Sequence, residues 1–372
     1  MKVLISGGHL TPAVALIDYI QSKHPETEIV FAGRLYSRIS DQQPSPEKQE
    51  ISKRGVTFVP FNSGKLTSGS LFTKIIQLMK LCVSIVSAFV LIGRQQPTVF
   101  LSFGGYLAVP LAVAAWLWRV PVLTHEQTRT IGVANKLILP LAKKIALSYP
   151  EAGAGLPESK TVITGNPIRP SLFKAAPKPA WLTTKSTKPI LYVTGGSQGS
   201  EIINTTISRM ADYLLKDWVV IHQCGFASKA RNYERELHQT TIKLSKQKQD
   251  RYYIRPWIEE QELSWIYDNA TASITRAGAN TLHEIALKQL PSIIIPLPFS
   301  HQDEQLLNAK ALSENGAALM LLQKDLDPDS LRTAVTDIIS KQRVIKRELK
   351  KIANRHTKAA DKLYAELVAL QS

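Results

Sequence analysis

A histidine and two glycines follow the first predicted strand, where a ligand can reach the backbone. The residues at the end of that strand are Ser6, Gly7, Gly8 and His9, followed by the helix start Thr11–Pro12. Glycines let a phosphate or sugar approach the backbone, and a helix N-terminus favours negative charge. A tight turn between strand and helix explains the glycines equally well. His9 is the exception, because its imidazole falls at the carboxyl edge of the predicted sheet and can titrate near neutral pH.

Two further polar clusters follow predicted strands in the first half of the chain. They are Ser102–Tyr106, which contains Gly104, Gly105 and Tyr106, and His125–Arg129, which contains Glu126 and Thr128. Both fall at the edge where open α/β sheets hold substrates. Packing alone accounts for the glycine pair. It does not readily account for histidine, glutamate, glutamine and arginine directly after an apolar strand, so we expect a substrate site here.

A glycine-rich turn follows the predicted strand 189–194 in the second half. Its residues are Gly195, Gly196, Ser197, Gln198 and Gly199. This run matches the G-x-S-x-G nucleophile elbow of α/β-hydrolases. The same turn can instead cradle a diphosphate with its backbone N–H groups and the serine hydroxyl. A hydrolase needs one such turn, whereas this chain has a second glycine-rich turn in its first half, so the diphosphate interpretation is favoured.

The strongest signal for a nucleotide lies in the segment 275–284 and in the residues 301–309. Small residues at 277–279 open a helix whose N-terminal amides can receive phosphate. Glu284 lies one turn further on, where a carboxylate can accept two hydrogen bonds from a ribose diol. Glu284 could alternatively cap its helix, but that leaves Gln305 and Asn308 unexplained.

The elements that position these residues alternate between short β-branched runs and longer helical patterns, which is typical of parallel sheets covered by helices. The predicted strands lie near 2–6, 28–32, 56–60, 98–102, 120–124, 161–164, 189–194, 218–223, 251–255, 272–275, 292–296 and 317–321. We therefore expect an α/β protein of two Rossmann-like domains. The predicted domains are 1–164 and 189–340, with a proline-rich linker at 165–188 and a C-terminal helical segment at 341–372 that packs back on the first domain.

Composition indicates a globular protein with an anionic partner. The 372 residues carry 46 Lys and Arg against 30 Asp and Glu, a formal net charge of +16. Such a balance favours nucleic acid, a phosphorylated substrate or an acidic membrane, without choosing among them. Two cysteines without metal-type spacing favour a reduced, cytoplasmic compartment, and the short apolar N-terminus predicts that the chain is not secreted.

A membrane surface is the partner favoured by residues 51–125, which contain no Asp or Glu but seven basic residues. Within 71–92, the uncharged apolar stretch begins at Leu81 and runs to Gly93, which is too short for a spanning helix, and Lys74 and Lys80 lie one or two turns before it. The segment is either a crossover helix buried on the sheet or a basic amphipathic helix at the bilayer interface, and both can hold at once. The apolar turns near Phe72, Ile75 and Leu78 would face the lipid.

Taken in order, these motifs resemble the MurG family, N-acetylglucosaminyltransferases of the two-domain GT-B class. The matching residues are Gly7-Gly8-His9, Gly104-Gly105-Tyr106, His125-Glu126-Gln127, Asn135-Lys136, Gly165 to Arg169, Gly195 to Gly199, Arg276 to Ala279, Glu284, Asp303, Gln305 and Asn308-Ala309. The match runs over nearly the whole chain. The resemblance implies two Rossmann-like domains with parallel sheets facing a central cleft.

The resemblance also implies the substrates and their contacts. UDP-GlcNAc would bind mainly to the C-terminal domain, and lipid I, undecaprenyl-diphosphate-MurNAc-pentapeptide, to the N-terminal one at the cytoplasmic face of the bacterial membrane. The implied donor contacts are Arg169, Ser197, Gln198, Ile258, Ala279, Asn280, Thr281, Leu282, Glu284 and Gln305. The remaining implied substrate contacts are Ser6, Gly7, Gly8, Gly104, Gly105, Tyr106, Thr128 and Asn135. The motif set accounts for anion affinity without nucleic acid.

The expected reaction is an inverting transfer of GlcNAc to lipid I, forming lipid II. We expect His9 to be the general base, with Glu126 as the second choice or as the group that orients the acceptor. No Asp-x-Asp motif occurs, so no metal or other cofactor is expected, and a helix N-terminus would stabilise the leaving UDP. A related GT-B enzyme with another acceptor, a UDP-GlcNAc epimerase and a non-catalytic sugar-nucleotide-binding protein remain alternatives.

Three positions depart from the family pattern. The family usually has the longer first loop G-G-T-G-G-H, whereas this chain passes directly through Ser6-Gly7-Gly8-His9. Thr128 stands where the family usually has Asn, and Glu304 where it often has His. These departures affect the expected acceptor contacts more than the donor contacts.

Overall fold

The structure, a computed structural model, describes residues 1–36, 44–64, 71–196, 198–226, 232–300 and 303–371. These residues form two compact units. The first unit comprises 1–170 together with 355–372, and the second comprises 171–354. The predicted linker 165–188 is therefore divided between them.

The first unit contains a seven-stranded, wholly parallel sheet with the strand order β3-β2-β1-β4-β5-β6-β7. Its strands are β1 (Lys2–Ser6), β2 (Glu28–Gly33), β3 (Thr57–Pro60), β4 (Val99–Ser102), β5 (Val122–Glu126), β6 (Lys144–Leu147) and β7 (Thr161–Ile163). The strand order reverses between β1 and β4, which pair directly. In such sheets, ligands bind outside the carboxyl ends of the strands at this reversal.

Helices cover both faces of the first sheet. They are α1 (Leu10–Lys23), α2 (Pro46–Lys53), α3 (Leu71–Gln95), α4 (Ala108–Leu117) and α5 (Val133–Ile138). One buried cluster joins α3, α4 and α5 to the sheet, and another joins α1 to the opposite face. The central strands are buried on both faces, so they read as continuous apolar runs rather than as alternating ones.

The second unit repeats this architecture with a six-stranded parallel sheet in the order β10-β9-β8-β11-β12-β13. Its strands are β8 (Ile190–Thr194), β9 (Val219–Gln223), β10 (Tyr252–Arg255), β11 (Ala272–Thr275), β12 (Ser292–Ile294) and β13 (Leu319–Met320). Here the order reverses between β8 and β11. The helices of this half are α6 (Glu201–Asp217), α7 (Tyr233–Thr241), α8 (Lys246–Gln249), α9 (Glu260–Asn269), α10 (Ala279–Lys288), α11 (Glu304–Glu314), α12 (Pro328–Ser340) and α13 (Gln342–His356).

The last helix, α14 (Ala359–Ala369), belongs to the first unit and packs against α1. The Tyr19 hydroxyl donates to Asp361 at 3.0 Å, and the hydroxyls of Thr27 and Tyr364 lie 2.9 Å apart. Leu363 and Leu367 are fully buried in the same contact. Apolar burial with polar pairs at its rim therefore fixes the C-terminus to the first sheet layer.

Three details of the predicted elements are wrong. The sequence analysis missed β6, a four-residue strand between helical patterns. It placed His125 and Glu126 after a strand, whereas they are the last two residues of β5. The C-terminal segment 341–372, expected to be one helix, breaks at 357–358, so the two helices Gln342–His356 and Ala359–Ala369 stand where one was predicted.

Candidate functional site

Two glycine loops of the first unit touch backbone to backbone at the β1/β4 reversal. A Cβ on Gly8 would lie 2.2 Å from the Gly104 carbonyl oxygen and 2.6 Å from the Gly105 Cα. Gly105 has a φ of +78°, a conformation that favours glycine. No larger residue fits this contact, so the glycines are needed to bring Ser6–His9 and Gly104–Tyr106 to one place.

The Glu126 carboxylate is fully engaged within its own loop. Its Oε1 accepts hydrogen bonds from the backbone N–H of Thr128 at 3.1 Å and from the Thr128 hydroxyl at 2.8 Å. Its Oε2 accepts from the Gly132 N–H at 2.8 Å and from Asn135 Nδ2 at 2.9 Å. Four donors on one buried carboxylate anchor the segment 128–135 to the end of β5.

The His9 side chain, unlike that of Glu126, is not held by hydrogen bonds to the described residues. Its side chain reaches solvent at the N-cap of α1 and caps no helical N–H. It makes no hydrogen bond to the part of the chain that the structure describes. Desolvation by the surrounding protein lowers the pKa of the His9 imidazole below its ordinary value, and the negative charge of Glu126 partly opposes this shift. A neutral imidazole at this position can accept a proton.

His125, beside Glu126, is a buried structural histidine. Its Nε2 lies 3.0 Å from the Gly165 carbonyl oxygen and therefore donates to it. Complete burial lowers the pKa of His125 to about 4, which keeps the ring neutral. The hydrogen bond joins β5 to the segment that follows β7.

A cavity of about 820 Å³ lies at the β8/β11 reversal of the second unit. We call residues 195–199 the glycine loop. Gly195, Gly196, Gln198 and Gly199 from the glycine loop form one wall, and Thr281 and Gln305 lie elsewhere on the lining. Cavities of this size suit nucleotide-sized ligands.

Arg276 brings a positive charge to this cavity, whose lining also includes Glu201. Its guanidinium donates to the carbonyls of Ile295 and Pro296, to Ser200 Oγ at 2.7 Å and to Gln323 Oε1 at 2.8 Å. All four acceptors are neutral. Burial lowers the pKa of Arg276, and no neighbouring carboxylate opposes that shift. The cavity wall thus holds a cation whose charge is available to an anionic ligand.

The N-terminus of α10 faces the same cavity through Gly278 and Thr281. Its first N–H groups have no carbonyl to pair with inside the helix, so they can donate to a ligand. Glu284, one turn on, is buried and accepts a hydrogen bond from the Tyr267 hydroxyl at 3.2 Å. Gln305 is oriented by the Leu297 N–H, which donates to its Oε1 at 3.0 Å.

The structure brings some of the predicted donor contacts together and leaves others apart. Gln198, Thr281 and Gln305 line the cavity. Ala279, Leu282 and Ile258 are buried in the second unit, and Asn280 and Glu284 are not among the lining residues. Arg169 belongs to the first unit. Ser197 lies outside the described residues.

Arg276 is the residue that the sequence analysis missed as a site residue. It was noted only as part of the matching Arg276–Ala279 run. The sequence signal that could have revealed Arg276 is its position: it directly follows an apolar strand and precedes a helix that begins with small residues. Its four acceptors lie 19 to 76 residues away in sequence, which only folding reveals.

An apolar surface, which we call the apolar patch, lies on α3 and the end of α4. Its exposed side chains are Met79, Val83, Val86, Phe89, Val90, Trp116, Leu117 and Trp118. Trp118 stacks near Phe89 at 4.9 Å and donates through Nε1 to the Phe89 carbonyl. The opposite face of α3 buries Ala88 and Ile92 in the core. The side chains of Phe72, Ile75 and Leu78 lie outside the described residues.

No helix among the described residues has the length and apolar character needed to span a bilayer. The end of α3 is both a buried crossover helix and an exposed apolar surface. The sequence allowed 71–92 to be a helix buried on the sheet or an amphipathic helix at a bilayer. The buried interpretation is correct for the face of the last turns that carries Ala88 and Ile92.

Comparison with known proteins places the chain in a family. The sequence profile of the glycosyltransferase family 28 N-terminal domain matches residues 6–147, and that of the C-terminal domain matches 190–363. The chain belongs to glycosyltransferase family 28. This assignment confirms the resemblance drawn from the motifs, and the family 28 enzyme is accordingly a UDP-GlcNAc-dependent glycosyltransferase of the MurG type.

Curated relatives of this family 28 enzyme align over nearly its whole length. The UDP-N-acetylglucosamine--N-acetylmuramyl-(pentapeptide) pyrophosphoryl-undecaprenol N-acetylglucosamine transferase 2 of Bacillus cereus is 31% identical over 93% of this chain and 92% of its own. The transferase of the same kind from Treponema denticola is 31% identical over 90% and 86%. The crystal structure of Acinetobacter baumannii MurG superposes with a TM-score of 0.70 over 99% of both chains at 22% identity. The expected GT-B fold is confirmed.

Proposed function

We propose that this enzyme transfers GlcNAc from UDP-GlcNAc to the 4-hydroxyl of the muramoyl sugar of lipid I, with inversion, to form lipid II in peptidoglycan synthesis. The full-length relatives carry the name of this reaction. The UDP-GlcNAc epimerase, the GT-B enzyme with another acceptor and the non-catalytic binding protein are the alternatives that the experiment below must separate.

The observation that carries the donor half of the proposal is the cavity of the second unit. It combines the glycine loop, the N-terminus of α10 and the buried cation Arg276. Backbone N–H groups, a helix N-terminus and a guanidinium are the groups that bind diphosphate. We place the diphosphate of UDP against them, with the NH₂ group of Gln305 donating to a GlcNAc hydroxyl and Glu284 accepting from the ribose.

The reaction requires one proton acceptor and one anionic leaving group. The acceptor hydroxyl oxygen forms a bond to the anomeric carbon and gives its proton to the base. The bond between that carbon and the UDP oxygen breaks, and UDP leaves with the electron pair. The positive end of α10 and Arg276 stabilise the charge that develops on UDP, which is the role a divalent metal plays in other transferases.

His9 is the base in this proposal, and Glu126 has the orienting role. The imidazole is neutral, accessible and uncommitted, as a general base must be. Glu126 would have to give up hydrogen bonds to Thr128, Gly132 or Asn135 before it could take a proton. The hydrogen bonds of Glu126 instead support a role in which it holds Thr128 and Asn135 at the acceptor loop, beside Gly104 and Gly105.

We place the enzyme peripherally at the cytoplasmic face of the cell membrane, where its lipid acceptor resides. The apolar patch supports this placement, since exposed tryptophan, phenylalanine and valine side chains partition into the interfacial region of a bilayer. Arg94 and Arg119 lie at the ends of the elements that carry the patch, where they can contact anionic headgroups.

The deciding experiment measures UDP release from UDP-GlcNAc with and without a lipid I analogue. We expect release that depends on the analogue and a product carrying a β-linked GlcNAc. Release without any acceptor, or formation of a second sugar nucleotide, would favour an epimerase. Tight UDP binding with no release under either condition would favour the non-catalytic alternative or a GT-B enzyme with another acceptor, and UDP release on addition of a different acceptor would separate these two.

A further inference from the structure

A chain of buried polar side chains runs through the second unit and ends at the wall of the donor cavity. It joins Tyr252 on β10, His222 on β9 and Asn204 on α6. His222 is completely buried, and Asn204 and Tyr252 are less than one-tenth exposed. Asn204 Nδ2 then donates to the Cys224 carbonyl oxygen at 2.9 Å. We call this chain the polar relay.

The geometry fixes the direction of every hydrogen bond in the polar relay. Because Asn204 uses its NH₂ group on Cys224, its Oδ1 faces His222 Nε2 at 3.0 Å. Oδ1 can only accept, so Nε2 carries the ring proton. Nδ1 of His222 therefore accepts from the Tyr252 hydroxyl at 2.8 Å. Burial lowers the pKa of His222 to about 3, which agrees with a neutral ring in this single tautomer.

The last member of the polar relay, the Cys224 carbonyl, packs directly against Gly199 of the glycine loop. A Cβ on Gly199 would lie 2.0 Å from that oxygen. A Cβ on Gly225 would likewise lie 2.3 Å from the Gly199 nitrogen. The two backbone segments thus meet without side chains between them, and the position of 224–225 sets the position of Gly199.

Packing alone does not require these polar groups. Asn204 and His222 occupy interior positions where apolar side chains would avoid the cost of desolvating an amide and an imidazole. Their hydrogen bonds instead give one defined orientation to a carbonyl that touches the donor cavity. Members of the relay do not line the cavity, whereas Gln198 and Gly199 do.

We propose that Asn204 and His222 are positioning residues for the nucleotide donor, acting through the Cys224 carbonyl on the glycine loop. This inference rests on the proposed binding of UDP in the cavity. It adds that the polar relay holds the glycine loop in its binding conformation before the nucleotide binds. Loss of the relay then weakens donor binding without touching the acceptor or the base.

The first test compares UDP affinity, measured by calorimetry, in the wild type, Asn204→Ala and Ser208→Ala. We expect Asn204→Ala to raise the Kd of UDP about tenfold, because the glycine loop would no longer be held in its binding position; a tenfold change corresponds to about 1.4 kcal/mol of binding free energy. The KM of the lipid I analogue should not change. Ser208→Ala is the matched control, because Ser208 lies on the same helix and bonds to Thr240 on α7, away from the loop. Its Kd should equal that of the wild type.

A double-mutant cycle separates positioning from general destabilisation. Gly199→Ala displaces the glycine loop directly, so adding Asn204→Ala to it should weaken UDP binding little further if both act through the loop. Additive effects would overturn the proposal, as would wild-type affinity in folded Asn204→Ala. If Asn204→Ala does not fold, Tyr252→Phe removes only the far hydroxyl of the relay.

For Tyr252→Phe we expect a threefold or smaller rise in Kd, together with a changed ¹⁵N signature of His222 Nδ1 in the NMR spectrum. An unchanged spectrum, or a wild-type resonance pattern that puts the proton on Nδ1, contradicts the relay. Failure of the wild type to bind UDP would instead reject the proposed function, so the two failures are distinguishable.

Discussion

At the edge of the first sheet, His9 and Glu126 differ in how much of their hydrogen-bonding capacity is already used. Glu126 accepts four hydrogen bonds within its loop, whereas His9 makes none to the described residues. A side chain accepts a proton more readily when it loses fewer existing hydrogen bonds on doing so. This difference is the reason we propose His9 as the base and Glu126 as the residue that holds the loop 128–135 in place.

Replacing His9 by Ala should lower kcat about 100-fold to 10,000-fold, the usual contribution of a general base, with little change in UDP affinity. In the wild type, the rate should fall as pH drops through the pKa of His9. Because desolvation lowers that pKa, the midpoint of the acidic limb should lie below 6.5. Steady-state UDP release between pH 4.5 and 8 checks both expectations.

Glu126→Gln is the contrasting variant for the assignment of the base. It places an NH₂ group where Gly132 N–H and Asn135 Nδ2 now donate, so the loop should shift and the KM for the acceptor should rise. The acidic limb should persist. A lost acidic limb in Glu126→Gln, with an intact limb in His9→Ala, would reverse the two roles.

Arg276→Gln should raise the Kd of UDP by about 10-fold to 100-fold, since it removes a charge-assisted interaction worth about 1.5–3 kcal/mol. Arg209→Gln is the matched control, because Arg209 lies on the same cavity wall but is exposed and screened by solvent. Calorimetry with UDP measures both. Equal losses in the two variants would show that net charge, rather than the buried guanidinium, determines affinity.

At the scale of elements, α3 has one face in the core of the first unit and another on the surface. The face with Ala88 and Ile92 packs on the sheet, and the face with Val83 and Val86 belongs to the apolar patch. The patch continues over Trp116 to Trp118 at the end of α4. A rigid, already folded apolar surface loses little conformational freedom when it meets a bilayer.

Val83→Glu combined with Val86→Glu should abolish sedimentation with anionic liposomes, because two charges would have to enter the interfacial region. Turnover with a water-soluble lipid I analogue should stay the same. Val344→Glu is the control, since Val344 is similarly exposed but lies on α13 in the second unit. Wild-type protein that fails to sediment at low salt would contradict the membrane placement.

At the scale of the whole molecule, each unit contains a buried histidine whose ring burial keeps neutral, His125 in the first unit and His222 in the second. Burial lowers the pKa of His125 to about 4 in the first unit and that of His222 to about 3 in the second. Unfolding exposes both rings and returns their pKa values to about 6.5. The unfolded state therefore binds more protons than the folded state in this range, and acid favours unfolding.

We expect the free energy of unfolding to be independent of these groups above pH 6.5 and to fall by roughly 1.4 kcal/mol per pH unit for each histidine between pH 6.5 and about 4. Thermal unfolding at pH 7.5, 6.5, 5.5 and 4.5 measures this dependence. His222→Gln should remove about half of this slope, because His125 still contributes, whereas replacing the exposed His238 should leave the slope unchanged. A melting temperature that stays constant down to pH 4.5 would contradict the assignment.

The sequence by itself determined the parallel α/β architecture, the family and the positions of the chemical groups along the chain. It could do so because short buried strands, glycine turns and helix starts are local patterns, and ligand sites of parallel sheets lie at strand ends. The glycine loop and His9 were found in this way. The strand β6 was missed because its four residues carry too little local signal.

Only the tertiary structure decided which of these groups act together. Arg276 holds Ser200 and Gln323 from 76 and 47 residues away, and Asn204 reaches Cys224 across 20 residues. The Glu126 carboxylate is held by hydrogen bonds from Gly132 and Asn135 only because these residues fold back onto it. Hydrogen bonds and desolvation depend on atoms within a few ångströms in space, and the separation of residues along the chain does not fix those distances.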